Sequence, residues 1–124
     1  MINYDDHNIF AKILRGEIPC KKIYEDEFVL SFYDINPQKK IHALVIPKGK
    51  YIDLDDFCKN ASPKEMVGMF KGIEIVSNKL GISLRSGKGY RALTNIGNDG
   101  GQEVPHLHFH LFGGEKIGKM VSWL

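Results

Sequence analysis

The chain has 124 residues, a length that one domain fills and that buries a core without disulfide or metal staples. Its apolar content of 43%, charged content of 26% and net charge of +2 describe a globular chain with no basic face, which argues against a general nucleic-acid binder and leaves room for a small anionic ligand. No run of about 18 apolar residues marks a membrane span, and Met1-Ile2-Asn3-Tyr4-Asp5-Asp6 lacks the basic and apolar regions of a signal peptide, so the cytoplasm is the expected compartment. Cys20 and Cys58 form no C-x-x-C pair and read as free thiols.

Asn8 caps a short helix whose Ile9, Phe10, Ile13 and Leu14 recur at helical spacing, with Gly16 at its end and Pro19 beyond. Two strands, Ile23 to Glu25 and Phe28 to Tyr33, flank the polar Asp26-Glu27 turn. After the Asn36-Pro37-Gln38 turn, Ile41-His42-Ala43-Leu44-Val45-Ile46 forms a third strand closed by Pro47. Ser62, Pro63 and Glu65 then spell a capping box, and the following helix buries Met66, Met69, Phe70, Ile73, Val76 and Leu80 before Gly81 ends it. Tyr90 to Thr94 and Val104 to Phe112 are the last two strands, joined by the glycine-rich Asn95-Ile96-Gly97-Asn98-Asp99-Gly100-Gly101-Gln102. Short connections between strands favour antiparallel pairing. The expected fold is α+β: about five antiparallel strands with one long and one short helix, as a single domain over 1–124. Residues 113–124, ending in Trp123-Leu124, read as a tail that needs a surface to pack on.

The densest chemistry lies in His106-Leu107-His108-Phe109-His110. Alternation on a strand puts the three imidazoles on one face, roughly 7 Å apart, and sends Leu107, Phe109 and Leu111 into the core. Burial needs only the apolar half of that pattern. Imidazole is nucleophile and base near neutrality, and the preceding glycines let backbone N–H groups approach an anion, so the pair points to phosphoryl chemistry. Two other readings stand beside it: a zinc site built on H-x-H, and imidazoles satisfied by backbone groups. His7 reads as a solvated residue, and His42 as either a packed strand residue or a member of the site.

The run His106 to Phe112 matches the H-φ-H-φ-H-φ-φ motif of the histidine triad (HIT) family. Asn8 to Ile13, Glu17-Ile18-Pro19, Phe32 to Gln38, His42 to Lys48 and Gly100-Gly101-Gln102 extend the resemblance to the family's nucleotide-binding (Hint) branch, the purine nucleoside phosphoramidases. The resemblance covers roughly residues 8–114. It implies a hydrolase that cleaves the P–N bond of nucleoside 5′-phosphoramidates, AMP or GMP joined to an amine, through a nucleotidyl-histidine intermediate. His108 resembles the nucleophile, His106 and His110 its flanking partners that hold phosphate and relay protons, and His42 the family's fourth histidine. Asp34 resembles the ribose acceptor. Ile9, Phe10, Ile13, Phe32 and Ile35 resemble the walls around the base, and core packing is their alternative. Asn95, Gly101 and Gln102 resemble phosphate contacts, and Lys48 reads as a solvated charge. No metal and no cofactor are required by that chemistry, and a homodimer with sheets joined edge to edge is implied.

Two departures stand out. The resemblance puts Glu103 with the nucleotide-binding residues, a carboxylate facing the phosphate site where some relatives have a small hydroxyl residue, and Lys50 stands where the family often has histidine. Gly113-Gly114 after the triad and the retained His110 separate the chain from two neighbouring branches, the dinucleoside polyphosphate hydrolases and the nucleotidyltransferases. A polyphosphate hydrolase, a nucleotide sensor or scaffold with incidental activity, and a zinc protein are the alternatives.

Overall fold

The computed structural model describes residues 3–121, so Trp123 and Leu124 of the predicted tail lie outside the described residues. In chain order the elements are α1 (Ile9–Leu14), β1 (Lys22–Glu25), β2 (Val29–Tyr33), β3 (Ile41–Pro47), α2 (Leu54–Asn60), α3 (Pro63–Lys79), β4 (Arg91–Leu93) and β5 (Phe109–Gly113). All five strands join one antiparallel sheet in the order β1-β2-β3-β5-β4. The expected fold is therefore present, with one helix more than foreseen. None of the described helices is long and apolar enough to cross a membrane.

The period of two along β3 sorts the core into two layers. Ala43 and Val45 face α3, where they pack with Val29, Leu107 and Leu111 against its Met69, Ile73 and Val76. Leu44 and Ile46 face the other way, where Phe10 of α1 packs on Leu30 and Phe32. The register pairs His42 with Phe112 and Leu44 with His110, so two histidines share the α1 side of the sheet. α1 therefore covers only part of that face, and histidines finish it.

Three expectations need correction. The helix α2 was not foreseen: Asp53 caps it by accepting from the Asp56 amide, but it buries one large side chain, Phe57. One anchor in seven residues produces no apolar period to read. On α3 the capping box forms as expected, yet the buried face runs through Gly68, Met69, Gly72, Ile73, Val76 and Ser77, leaving Phe70 60% exposed. Gly68 and Gly72 rotate the helix because Phe28 and Val29 fill the space where their side chains would be. Finally, the run from Val104 to His108 does not pair as a strand, and β5 begins only at Phe109.

A methyl group at Gly68 would sit 2.5 Å from Phe28 Cδ2 and 2.6 Å from Phe28 Cβ, which is too close to the main chain to yield. Gly68→Ala is therefore expected to lower stability by roughly 1–3 kcal/mol from overpacking, despite a helix-propensity gain of about 1 kcal/mol. The urea midpoint measures it, and an unchanged or higher midpoint contradicts this packing.

Candidate active site

The segment before β5 is held by bonds that replace the missing ladder. Pro105 has no N–H to give, the His106 amide turns back to Val104 O at 2.9 Å, and Leu107 N donates to Tyr51 O at 2.8 Å. Side chains still alternate: Leu107 and Leu111 enter the α3 layer while His106 and His108 are buried on the other face. The rings of His108 and His110 lie 5.0 Å apart between centroids. His42 and His110 lie 5.2 Å apart. All four predicted histidines are thus one cluster.

Backbone partners assign every proton in it, because a carbonyl only accepts and an amide N–H only donates. His108 Nδ1 lies 2.8 Å from His106 O and must donate, leaving the His108 Nε2 lone pair free. His106 Nε2 lies 2.8 Å from Pro47 O and also donates, so its Nδ1 accepts from the Tyr4 hydroxyl at 2.6 Å. His42 Nδ1 accepts from the Gln38 amide at 3.2 Å, which puts the His42 proton on Nε2. That proton points at His110 Nδ1, 2.9 Å away, and its second neighbour is Asp34 Oδ2 at 3.4 Å. His110 then carries its own proton on Nε2. Among the described residues no fully buried side-chain nitrogen lacks a partner, and neither His108 Nε2 nor His110 Nε2 has one, so both reach solvent. An open lone pair stands beside an open N–H.

Burial depresses the basicity of all four rings. Loss of solvation pushes His106 down to about 4 and, with its charged-form repulsion from His108 and His42, His110 down to about 4. His108 and His42 are lowered by the same cause, with Asp34 pulling each of them partly back. Near neutrality the site holds four uncharged imidazoles. Asp34, His42 and His110 present ligand atoms within 4.8 Å of one another, the spacing a metal needs. The Gln38 amide opposes that use: a neutral His42 that offered its Nε2 lone pair to a metal would carry its proton on Nδ1, against the amide N–H.

The other predicted residues divide. Phe10 meets the His108 ring edge-on at 4.9 Å and Phe32 at 5.7 Å, so Phe10 joins core and site while Phe32 packs behind it in the core. Ile13 packs on that core, whereas Ile9 (44% exposed) and Ile35 (89%) present open apolar surface. Asn95 is half-buried beside Thr94, whose hydroxyl donates to His108 O at 2.7 Å. Gly101 has φ +79°, and a Cβ at Gly100 would strike Ile96 O at 2.2 Å, so the turn requires both glycines. Gln102 is a brace: its Nε2 donates to Ile52 O and Val104 O at 2.7 and 3.0 Å. Glu103 is exposed. Lys48 is paired with Glu25 and Lys50 with Asp6, each at 2.8 Å. His7 is exposed, as expected.

The HIT domain family profile matches residues 15–117. The chain belongs to the HIT domain family. It is 51% identical over 119 residues to a 13.2 kDa HIT-like protein of Azospirillum brasilense, covering 96% of this chain and 95% of that one. Among solved structures, a HIT family hydrolase from Clostridium thermocellum is 37% identical with a TM-score of 0.82, covering 94% of this chain and 98% of its own. A histidine triad nucleotide-binding protein from Candida albicans is 29% identical with a TM-score of 0.74, over 94% and 85%. Within the HIT frame, sequence reasoning missed Tyr4, Gln38 and Thr94, which orient the histidines. Gln38 and Thr94 were legible only as a turn and a strand end, and Tyr4 carries no local signal at all.

The buried imidazoles make stability depend on pH. Unfolded, His106 and His110 titrate near 6.5, and folded near 4, so in that window the unfolded chain binds more protons and stability falls as pH drops from 6.5 towards 4. Each fully buried ring contributes a slope of roughly 1.4 kcal/mol per pH unit; His106 gives it in full, the half-exposed His110 less. The melting temperature should fall steadily from pH 6.5 to 5.5, above the range where most carboxylates protonate. A flat profile there would show that the rings are solvated.

Proposed function

We propose that this HIT protein is a nucleoside 5′-phosphoramidate hydrolase of the Hint branch, acting through a nucleotidyl group on His108. The observation that carries the reading is the pair of open nitrogens: the His108 Nε2 lone pair, fixed by the bond from Nδ1 to His106 O, beside the His110 Nε2 proton. In-line attack forms the Nε2–P bond as the P–N bond breaks. The amine nitrogen leaves with the bonding electrons and takes a proton at the position His110 faces, while donation from His42 Nε2 to His110 Nδ1 offsets the charge left behind. Water then delivers hydroxyl to phosphorus as the His108 Nε2–P bond breaks, gives its remaining proton back to His110 Nε2 and frees the nucleoside monophosphate.

His106 acts through its carbonyl and its place in the turn, since both its nitrogens are taken and its ring has no exposed surface. In the reading's nucleotide site the Gly100-Gly101-Gln102-Glu103 turn and Asn95 face the phosphate, Asp34 the ribose, and Ile9 and Ile35 offer open apolar surface to the base beside Phe10, Ile13 and Phe32. The hydrolase from Clostridium thermocellum and the nucleotide-binding protein from Candida albicans, named for those properties, support the same class. A homodimer fits as well: β4 is a sheet edge, and Val67 and Phe70 are exposed on α3, with the Phe70 ring 6.3 Å from that of Phe109 in β5.

Adenosine 5′-phosphoramidate carrying a fluorescent amine tests the chemistry. Turnover should persist in excess chelator and fall by about a thousandfold or more in His108→Ala; loss of wild-type turnover on chelation would overturn the mechanism. Because burial lowers the basicity of His108, protonation removes the nucleophile only below pH 6.5. The acid limb of kcat/KM should therefore bend below that value, and an inflection at or above it contradicts a buried nucleophile.

A further inference from the structure

The cluster that would receive a phosphate contains no cation. Asp34 and Glu103 favour the protonated form of His108, and among the described residues no lysine or arginine forms an ion pair with Asp34, Glu103 or any of the four imidazoles. The basic residues that follow β3 are committed elsewhere, Lys48 to Glu25 and Lys50 to Asp6, each at 2.8 Å. Arg91 on β4 spends its guanidinium on Lys119 O and Gly118 O at 2.8 and 2.9 Å. Asp34 is partly satisfied within the fold, with Oδ1 accepting from the Asn36 amide at 2.8 Å and Oδ2 near His42.

Glu103 is different. It follows the turn closed by Gln102 N donating to Gly97 O at 3.1 Å, and the Gln102 side chain braces the turn against Ile52 O. The backbone that carries Glu103 is therefore fixed, three residues before His106. Its carboxylate is exposed and has no ion pair among the described residues. In the proposed function this turn faces the phosphate, and an uncompensated carboxylate there would weaken the binding of any further negative charge and favour a positive one.

We propose that Glu103 selects substrates by the charge of the departing group: it favours phosphoramidates whose amine carries a second positive charge, and it disfavours polyphosphate leaving groups. The inference rests on the phosphoramidase reading above and names its substrate class. The attack at phosphorus and the fate of the proton are the same as described there; the cationic group remains on the departing amine and does not react.

The test compares two AMP phosphoramidates of matched length, one of a linear alkylamine and one of the corresponding diamine with a free ammonium, with diadenosine tetraphosphate as a third substrate. Wild-type kcat/KM should favour the diamine compound by about fivefold, the size of a unit-charge interaction across roughly 8 Å in a half-wet cleft. Added salt should compress that ratio. Glu103→Gln should bring it close to one, and Glu103→Lys should invert it. An identical ratio in wild type and Glu103→Gln overturns the selection while leaving the phosphoramidase reading intact. Hydrolysis of the tetraphosphate as efficient as that of the phosphoramidates also overturns it. Turnover of neither phosphoramidate removes the underlying reading and this inference together.

Discussion

A main-chain carbonyl can only accept a hydrogen bond, and His106 O sits 2.8 Å from His108 Nδ1. That contact decides which nitrogen of His108 holds the proton and which is bare, and it exists because the chain bends before β5. If the run from Val104 to His108 had continued the ladder with β3, the His106 carbonyl would lie in the sheet plane, engaged with or aimed at a neighbouring strand. Pro105 removes a donor from that ladder, and the turn from His106 N to Val104 O takes the chain out of it. The irregularity is the means by which the backbone reaches a side chain.

The surrounding core makes the bend tolerable. Leu107 has no exposed surface and anchors the segment in the α3 layer, and its amide finds Tyr51 O as a substitute for a strand partner. On the opposite face α1 is only six residues long and brings Phe10 against Phe32 and His108. A longer helix there would bury the imidazole nitrogens completely, and a shorter one would hydrate them. Partial cover leaves two nitrogens open while keeping the rings in a medium that disfavours their charged forms.

How much of this was legible follows from what each feature depends on. The capping box of Ser62, Pro63 and Glu65 and the alternation in β3 are local, and both appear where expected. The rotation of α3 depends on Phe28 and Val29 reaching Gly68 and Gly72 across the core, so apolar spacing alone misplaced Phe70. The gathering of His106, His108 and His110 was readable from alternation, but membership of His42 came from the family resemblance, because nothing local distinguishes it from a packed strand residue. The proton assignment was beyond reach: it hangs on His106 O, the Gln38 amide, Pro47 O and the Tyr4 hydroxyl, 2, 4, 59 and 102 residues from their histidines, the near two set by a bend and a turn and the far two by tertiary packing. Lys50 stands where the family often has histidine, and the structure gives it an exposed ion pair with Asp6, two residues from Tyr4.

A site that must both attack and donate often separates its groups by charge, holding one carboxyl protonated and its neighbour ionised. Here a single cause, loss of solvation, moves all four imidazoles in the same direction, so charge cannot tell them apart. Tautomer does instead. His108 is bare at Nε2 because its proton is held by a carbonyl, and His110 is protonated at Nε2 because His42, pinned by the Gln38 amide, already donates to its other nitrogen. Both states are those of neutral imidazole, so they coexist at one pH without a compensating cation nearby. Neutral rings also leave Glu103 without an imidazolium to pair with, so under the proposed function its charge stays available to the departing group.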